Sequence, residues 1–393
     1  MYTVTLKKNE EKRLLAGHPW VYANEVAKIE GKDVQGGVCR VVAADGRFVG
    51  QGFINHQSKI IVRILSRDER VIDREFFFKR ISAANEFRRS LGYNDNYRIA
   101  FGESDLLPGL IVDKYADVLA VQFLCLGADV RKEMITEILV ELFAPACVYE
   151  RSDVSVRTKE GLPETKGVLY GALPEELIIV ENGVKLKIDV ANGQKTGYFL
   201  DQKENRERVK DYVRGKRVLD LFCNQGGFSL CAAKGGASEI TAVDISASAL
   251  AAVGINAALN GIDGVTTVQA DVFELLREYK REGRTFDVII LDPPAFIKSK
   301  DAVKEGYNGY RDINTLALKL LASDGVLITC SCSQHMSLNL FIDMLRESTL
   351  RAGKDARIAE IRFQGRDHAS LLSADEGQYL KSVTLKLCAD SSR

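Results

Sequence analysis

Nowhere does the chain approach the roughly 18 uninterrupted apolar residues that a membrane helix needs, and its first twenty residues, MYTVTLKKNEEKRLLAGHPW, hold no apolar core of the secretory kind. A soluble, cytoplasmic protein with no membrane partner is expected. Its eight cysteines are scattered, and the close pair Cys330 and Cys332 lacks the C-x-x-C spacing of zinc or redox sites. Reduced thiols and no metal follow. Net charge is missing as well, with 54 basic and 54 acidic side chains, so composition alone points to no partner. Only the distribution is uneven: residues 1–70 carry 12 basic and 8 acidic side chains, which is compatible with nucleic acid and equally with a solvated surface. Internal repeats and low-complexity tracts are absent.

What is present is an ordinary globular composition, 46% hydrophobic and 27% charged, over a length that suggests two or three domains. Residues 1–70 read as a small β module. VCRVVA and RFVGQGF flank an Asp-Gly turn, and KIIVRILS follows as another strand. Residues 71–190 read as an α+β piece. A helical pattern from Arg74 to Leu91 stops at Gly92, LIVDKYADVLAVQFL makes two strands, a helix lies near 129–143, and ELIIVENGVKLKIDV pairs two strands around Asn182-Gly183.

In residues 191–393 the texture changes to strand–helix alternation. VLDLF, EITAVD, VTTVQAD, FDVIILD and GVLITCSCS alternate with four amphipathic stretches, which predicts an α/β fold with a parallel sheet covered on both faces. ARIAEIRFQG and YLKSVTLKL add two strands. Ligands of such sheets bind at the carboxyl ends of the strands, where strand order reverses.

Three acids stand at successive strand ends. Asp220 precedes the turn FCNQGGF, whose paired glycines let backbone approach a ligand and whose following helix N-terminus favours a carboxylate. Asp244 is placed to accept from a ribose diol, and Asp271 to cap an adenine amino group. The fingerprint G-x-G-x-x-G is missing, which argues against a dinucleotide cofactor and leaves a dehydrogenase a remote reading. S-adenosylmethionine fits, with its amino acid moiety near Asp220 and Gly226. Phe222, Asn224, Gly227 and Phe228 in the turn, and Ile245 and Val272 beside the acids, complete the candidate contacts. The competing reading makes these acids plain turn or helix-cap residues.

FDVIILDPPAF ends a strand at Asp292-Pro293-Pro294, where a stiff backbone sets the Asp292 carboxylate and the Pro293 carbonyl beside the cofactor. This resembles the acidic-Pro-Pro-aromatic loop of enzymes that methylate exocyclic amino groups, with Ala295 in the aromatic position and Phe296 one residue late. Cys330 and Cys332 share a face of the next strand, and only Cys332 reaches its carboxyl end. A thiol there suits attack on C6 of a pyrimidine, which activates C5 toward a sulfonium methyl. Simple burial of the cysteine is the alternative.

KRLLAGHPWVYANEV, GESDLLPGLIVDKY, YERSDVSVRTKEG, NGQKTGYFLDQKENR, DPPAF, GYRDINTLALKLL and TCSCS occur in this order over essentially the whole chain. Together they resemble the bacterial large-subunit ribosomal RNA cytosine-C5 methyltransferases with an N-terminal PUA domain. The resemblance implies a PUA-like module (1–70), a central α+β domain of EEHEE type (71–190) and a class I, Rossmann-like methyltransferase domain with a seven-stranded sheet (191–393). It also implies S-adenosylmethionine as cofactor and ribosomal RNA as partner, Cys332 as nucleophile and Asp292 as the acid of the catalytic loop. Tyr198 and Gln202 would line the cofactor cleft, and Lys195, Pro294 and Phe296 would meet RNA. Methylation of a base amino group or ring nitrogen, and a non-catalytic role in ribosome assembly, remain open, as does a homodimer.

Overall fold

The computed structural model describes residues 1–389 other than 33, 35, 375 and 376. It forms two compact units, one built from Met1–Leu177, Ile188–Leu200 and Arg366–Gly377, the other from Ile178–Lys187, Asp201–Gly365 and Gln378–Arg393.

The first unit holds a six-stranded sheet within Tyr2–Ser66 and a five-stranded sheet within Tyr97–Gly171. The strands Val38–Val42 and Phe48–Ile54 pair antiparallel across the Asp45-Gly46 turn, with Gly46 at φ 86°. The helix Arg74–Ser90 starts where Asp73 accepts the Phe76 amide at 3.0 Å and is followed by Gly92 at φ 94°, so both of its expected boundaries have a local cause. The two sheets were expected in separate modules. Phe53 and Leu65 from the first sheet nevertheless pack into one core with Phe77, Ile81, Tyr97 and Val121.

The second unit is the α/β part. The strands of its seven-stranded sheet are β1 (Arg217–Leu221), β2 (Glu239–Asp244), β3 (Val265–Gln269), β4 (Phe286–Leu291), β5 (Leu321–Ser331), β6 (Ala356–Phe363) and β7 (Lys381–Leu387), in the order β3-β2-β1-β4-β5-β7-β6. β3, β2, β1, β4 and β5 run parallel, while β7 lies antiparallel between β5 and β6. A short helix, Lys203–Arg208, precedes β1, and the helices after it are α1 (Gly227–Lys234), α2 (Ala247–Leu259), α3 (Val272–Arg281), α4 (Val303–Leu320) and α5 (Leu338–Ala352). The last of these was not foreseen. Along β4, Val288 and Ile290 pack into a core with Phe228 and Ala232 of α1, whereas Ile289 and Leu291 pack with Leu276, Ile313 and Phe341 of α3, α4 and α5. Coverage on both faces explains why these strands read as continuous apolar runs rather than alternating ones.

Unit boundaries depart from the expected 190/191 division in two places. The Asn182-Gly183 hairpin, with both turn residues at positive φ (53° and 76°), belongs to the second unit. The amides of Lys185 and Lys187 donate to Asn260 and Asn256 at 2.8 Å each, and Glu181 holds Arg206 through a buried two-point pair at 2.6 and 3.0 Å. Conversely, Arg366–Gly377 belongs to the first unit, where Asp367 accepts from the Arg98 amide and, through its carbonyl, from Arg88 Nε, at 3.0 Å each.

Candidate active site

Strand order reverses between β1 and β4, so their carboxyl ends bound the crevice where a ligand of this sheet would sit. β1 delivers Asp220, fully buried, with Oδ2 accepting from Ser229 Oγ at 2.6 Å. Its Oδ1 has no hydrogen-bond partner among the described residues. Burial pushes this carboxyl up to about 7, the Ser229 hydroxyl works against that shift, and the negative Asp292 adds to it. A buried acid with one unanswered oxygen fits a cationic ligand group, since an ammonium would satisfy the oxygen and restore the ionised form.

After β1 the backbone enters the left-handed region three times, at Phe222 (φ 62°), Asn224 (φ 48°) and Gly226 (φ 82°), and α1 begins at Gly227. For the two non-glycine residues this conformation is uncommon and costs on the order of 1 kcal/mol or more each, the kind of strain that collects at ligand sites. Asn224 is steadied from both sides. Its amide donates to Asp244 Oδ2 at 3.0 Å, and its Oδ1 accepts the Gln225 amide at 2.8 Å. A Cβ on Gly226 would stand 3.1 Å from the Val253 side chain, a second reason for glycine there. Gly227 and Phe228 form the first turn of α1 and are buried, Phe228 packing in the core.

Asp244 ends β2 with its other oxygen accepting the Ser246 amide at 2.9 Å, so it braces the two turns that flank it. Next to it Ile245 is 68% exposed. Asp271 caps α3 by accepting the Glu274 amide at 3.1 Å, the plain helix-cap role that sequence reasoning had set against cofactor contact. Val272 is buried in the core beside Leu275 and Leu276. The Asp244 turn and the Asp271 turn are linked, because the Ala270 amide donates to the Asp244 carbonyl at 3.2 Å.

Beyond β4, Asp292 accepts from Gln202 Nε2 at 2.9 Å, and Gln202 is itself oriented by Asn205 Nδ2, which donates to its Oε1 at 2.7 Å. Pro293 is buried and Pro294 exposed. Cys332 lies one residue past β5, half-buried, with Sγ 3.9 Å from the Pro293 carbonyl oxygen. Cys330 is wholly buried, and that burial pushes its thiol up, with Asp292 adding to the effect. Sequence reasoning separated the two cysteines in the same way. Phe296 does not stand free beside them: its ring packs on Tyr310 at 4.6 Å between centroids and on Phe273 at 6.0 Å.

Tyr198 and Lys195 belong to the first unit. There Tyr198 is buried, its carbonyl accepting the Tyr115 hydroxyl at 3.0 Å, and the Lys195 ammonium lies 4.5 Å from the Phe199 ring centroid. Ser333 of TCSCS, Tyr310 of GYRDINTLALKLL and Lys381, none of which sequence reasoning put in the site, also meet around Cys332. Ser333 Oγ bonds the Tyr310 hydroxyl at 2.9 Å and accepts the Ile297 amide at 3.1 Å, while Lys381 Nζ donates to the Ser333 carbonyl at 2.7 Å. Among the described residues, no group of three or more His, Cys, Asp or Glu side chains is arranged to hold a metal ion, and no helix is long and apolar enough to cross a membrane.

Comparison with known proteins agrees with this layout. Residues 4–67 match the PUA-like domain family, and residues 142–363 match the S-adenosylmethionine-dependent methyltransferase family. In fold the chain is similar to a protein from Streptococcus mutans described as a SAM-dependent methyltransferase (TM-score 0.83, 22% identity, 98% of this chain and 100% of that one). It is equally similar to a methyltransferase solved in complex with SAH (TM-score 0.85, 22% identity, with the same shares covered). Ribosomal RNA large subunit methyltransferase I of Aeromonas hydrophila is 43% identical over 392 residues, 98% of this chain and 99% of the relative. The enzyme of that name from Shewanella amazonensis is 45% identical over 391 residues, with 98% and 99% covered. With such identity sustained from end to end, the chain belongs to the ribosomal RNA large subunit methyltransferase I family of S-adenosylmethionine-dependent methyltransferases.

Proposed function

We propose that the protein methylates carbon 5 of a cytosine in large-subunit ribosomal RNA, with Cys332 as a transient nucleophile at C6. The observation that carries this reading is the position of Cys332 Sγ, partly exposed at the carboxyl edge of the sheet and beside the Pro293 carbonyl that follows Asp292. The names of the close relatives support the RNA as substrate.

S-adenosylmethionine supplies an electrophilic methyl group on a sulfonium. Asp220, through its unpaired Oδ1, and the amides at the start of α1 hold the amino acid moiety, which carries one positive and one negative group. Asp244 and its exposed neighbour Ile245 would serve the ribose side of the cofactor, and Asp271 would have the oxygen its cap leaves over for the adenine amino group.

Carbon 5 of cytosine is a poor nucleophile. The Cys332 thiolate forms a bond to C6, and the electron pair of the C5–C6 double bond becomes available at C5, which accepts the methyl. A base then takes the C5 proton, the C–H electron pair restores the C5–C6 double bond, and the C6–S bond breaks with its pair returning to sulfur as thiolate. Asp292, aimed by Gln202, accepts from the cytosine amino group, and exposed Pro294 flanks the base. The base must be unpaired or flipped to reach the thiol, and the PUA-like segment serves as the RNA-contacting module, within a working division at residues 1–70, 71–190 and 191–393.

The test is covalent trapping. RNA carrying 5-fluorocytidine at the target cannot lose a proton from C5, so wild-type protein should stay bound to it through a denaturing gel, whereas Cys332→Ala should not. Absence of an adduct with the wild type, or methylated nucleoside found by mass spectrometry at an amino group or ring nitrogen, overturns the reading.

A further inference from the structure

Lys381 is the first residue of β7, paired across the sheet with Ser331, and its Nζ donates to the Ser333 carbonyl at 2.7 Å and the Tyr379 carbonyl at 2.8 Å. Strand register thus sets Lys381 opposite the residue before Cys332, and its ammonium reaches the carbonyl of the residue after it. It is only 3% exposed, and among the described residues it makes no ion pair with a carboxylate. A buried ammonium so placed lacks a compensating anion, which ordinarily makes burial costly.

We propose that Lys381 is the positioning residue that keeps Cys332 ionised, the two side chains forming a thiolate–ammonium pair before RNA arrives. This rests on Cys332 being the nucleophile. In forming the pair, the Sγ–H bond breaks and an Nζ–H bond forms: the proton moves to the amine lone pair and the S–H electrons stay on sulfur, ready for C6. When the C6–S bond later breaks, the thiolate returns to face the same ammonium.

Two donated N–H groups leave the third site on Nζ for this exchange, whichever form the amine takes. Burial pushes the Lys381 ammonium down to about 8, and the sulfur of Cys332 opposes that shift, so each group stabilises the charge of the other. Three other titratable groups placed near Cys332 are not cations, and His335 lies three residues further along the chain. Asp292, in the loop after β4, is acidic; Tyr310 from α4 and Cys330 on β5 are both held toward their neutral forms by burial.

The experiment measures the rate of iodoacetamide alkylation at Cys332 against pH, read by mass spectrometry of its peptide, so that no RNA is involved. In wild-type protein the midpoint should fall at least one pH unit below the ordinary thiol value of about 8.5. Lys381→Met should move it up by a unit or more, and Lys381→Arg should restore much of the shift. A wild-type midpoint at or above about 8.5, or no difference in a folded Lys381→Met protein, overturns the proposal. Because wild-type alkylation is read directly, a Lys381→Met variant that fails to fold leaves a decisive measurement. Failure of the nucleophile reading is recognised separately, by absence of the 5-fluorocytidine adduct from a protein whose Cys332 alkylates with the lowered midpoint.

Discussion

Gln202 Nε2 stands 2.9 Å from Asp292 Oδ1, so an amide one short helix before β1 aims the carboxylate at the end of β4. Replacing Gln202 by Ala removes this donor and one of the two acceptors of Asn205 Nδ2, leaving the Phe363 carbonyl at 3.2 Å. Losing a hydrogen bond to a charged group costs on the order of 1.5–3 kcal/mol, or roughly 10–100-fold in rate if spent at the transition state. Single-turnover methylation should fall by that order, and S-adenosylmethionine affinity, measured by calorimetry, should change less.

Asp220 makes a prediction in pH. Its folded-state pKa of about 7 lies above the ordinary carboxylate range, so the folded chain holds a proton that the unfolded chain releases. Stability from this group is present at acid pH, below the unfolded value, and is lost as pH rises toward and through 7. Thermal unfolding of the unliganded protein should show Asp220→Asn gaining on the wild type as pH goes from 5 to 8. Calorimetry should find cofactor affinity of the wild type rising over the same interval, and that of the variant lower and flat.

The two cysteines of the TCSCS stretch should separate cleanly. Cys332→Ala is expected to abolish methyl transfer while binding S-adenosylmethionine normally. Cys330, wholly buried, contributes packing, and Cys330→Ala should cost about 1 kcal/mol of stability and keep most of the activity, as followed by tritium transfer and urea unfolding.

Asp271 has a structural task in capping α3, and a cofactor role has to be measured apart from it. Asp271→Ser keeps a competent cap and should leave the melting temperature nearly unchanged while weakening cofactor binding. Asp271→Ala should lower both, the stability by about 1 kcal/mol. Unchanged affinity in the serine variant would assign Asp271 to the helix alone.

Much of this arrangement was legible before any coordinates. Strand and helix periodicity are local properties, so the order of the parallel strands' acids, Asp220, Asp244, Asp271 and Asp292, and the separation of Cys332 from Cys330 follow from counting along each segment. Periodicity says nothing of the partner of Phe296, whose contact with RNA only the family resemblance implies: its ring packs on Tyr310, fourteen residues on. The helix Leu338–Ala352 escaped notice although its cap is conventional, with Ser337 accepting the Leu340 amide at 3.2 Å.

What the residues determined by themselves is therefore the alternating α/β architecture, the capped boundaries and the set of polar groups at the strand ends, because each depends on neighbours a few positions away. Tertiary structure alone decided which distant groups share that edge. β7 inserts antiparallel between β5 and β6, and this non-local pairing brings Lys381, forty-nine residues after Cys332, to the carbonyl that follows the thiol. No spacing rule encodes such a meeting, since it is set by which strand completes the sheet and in what register.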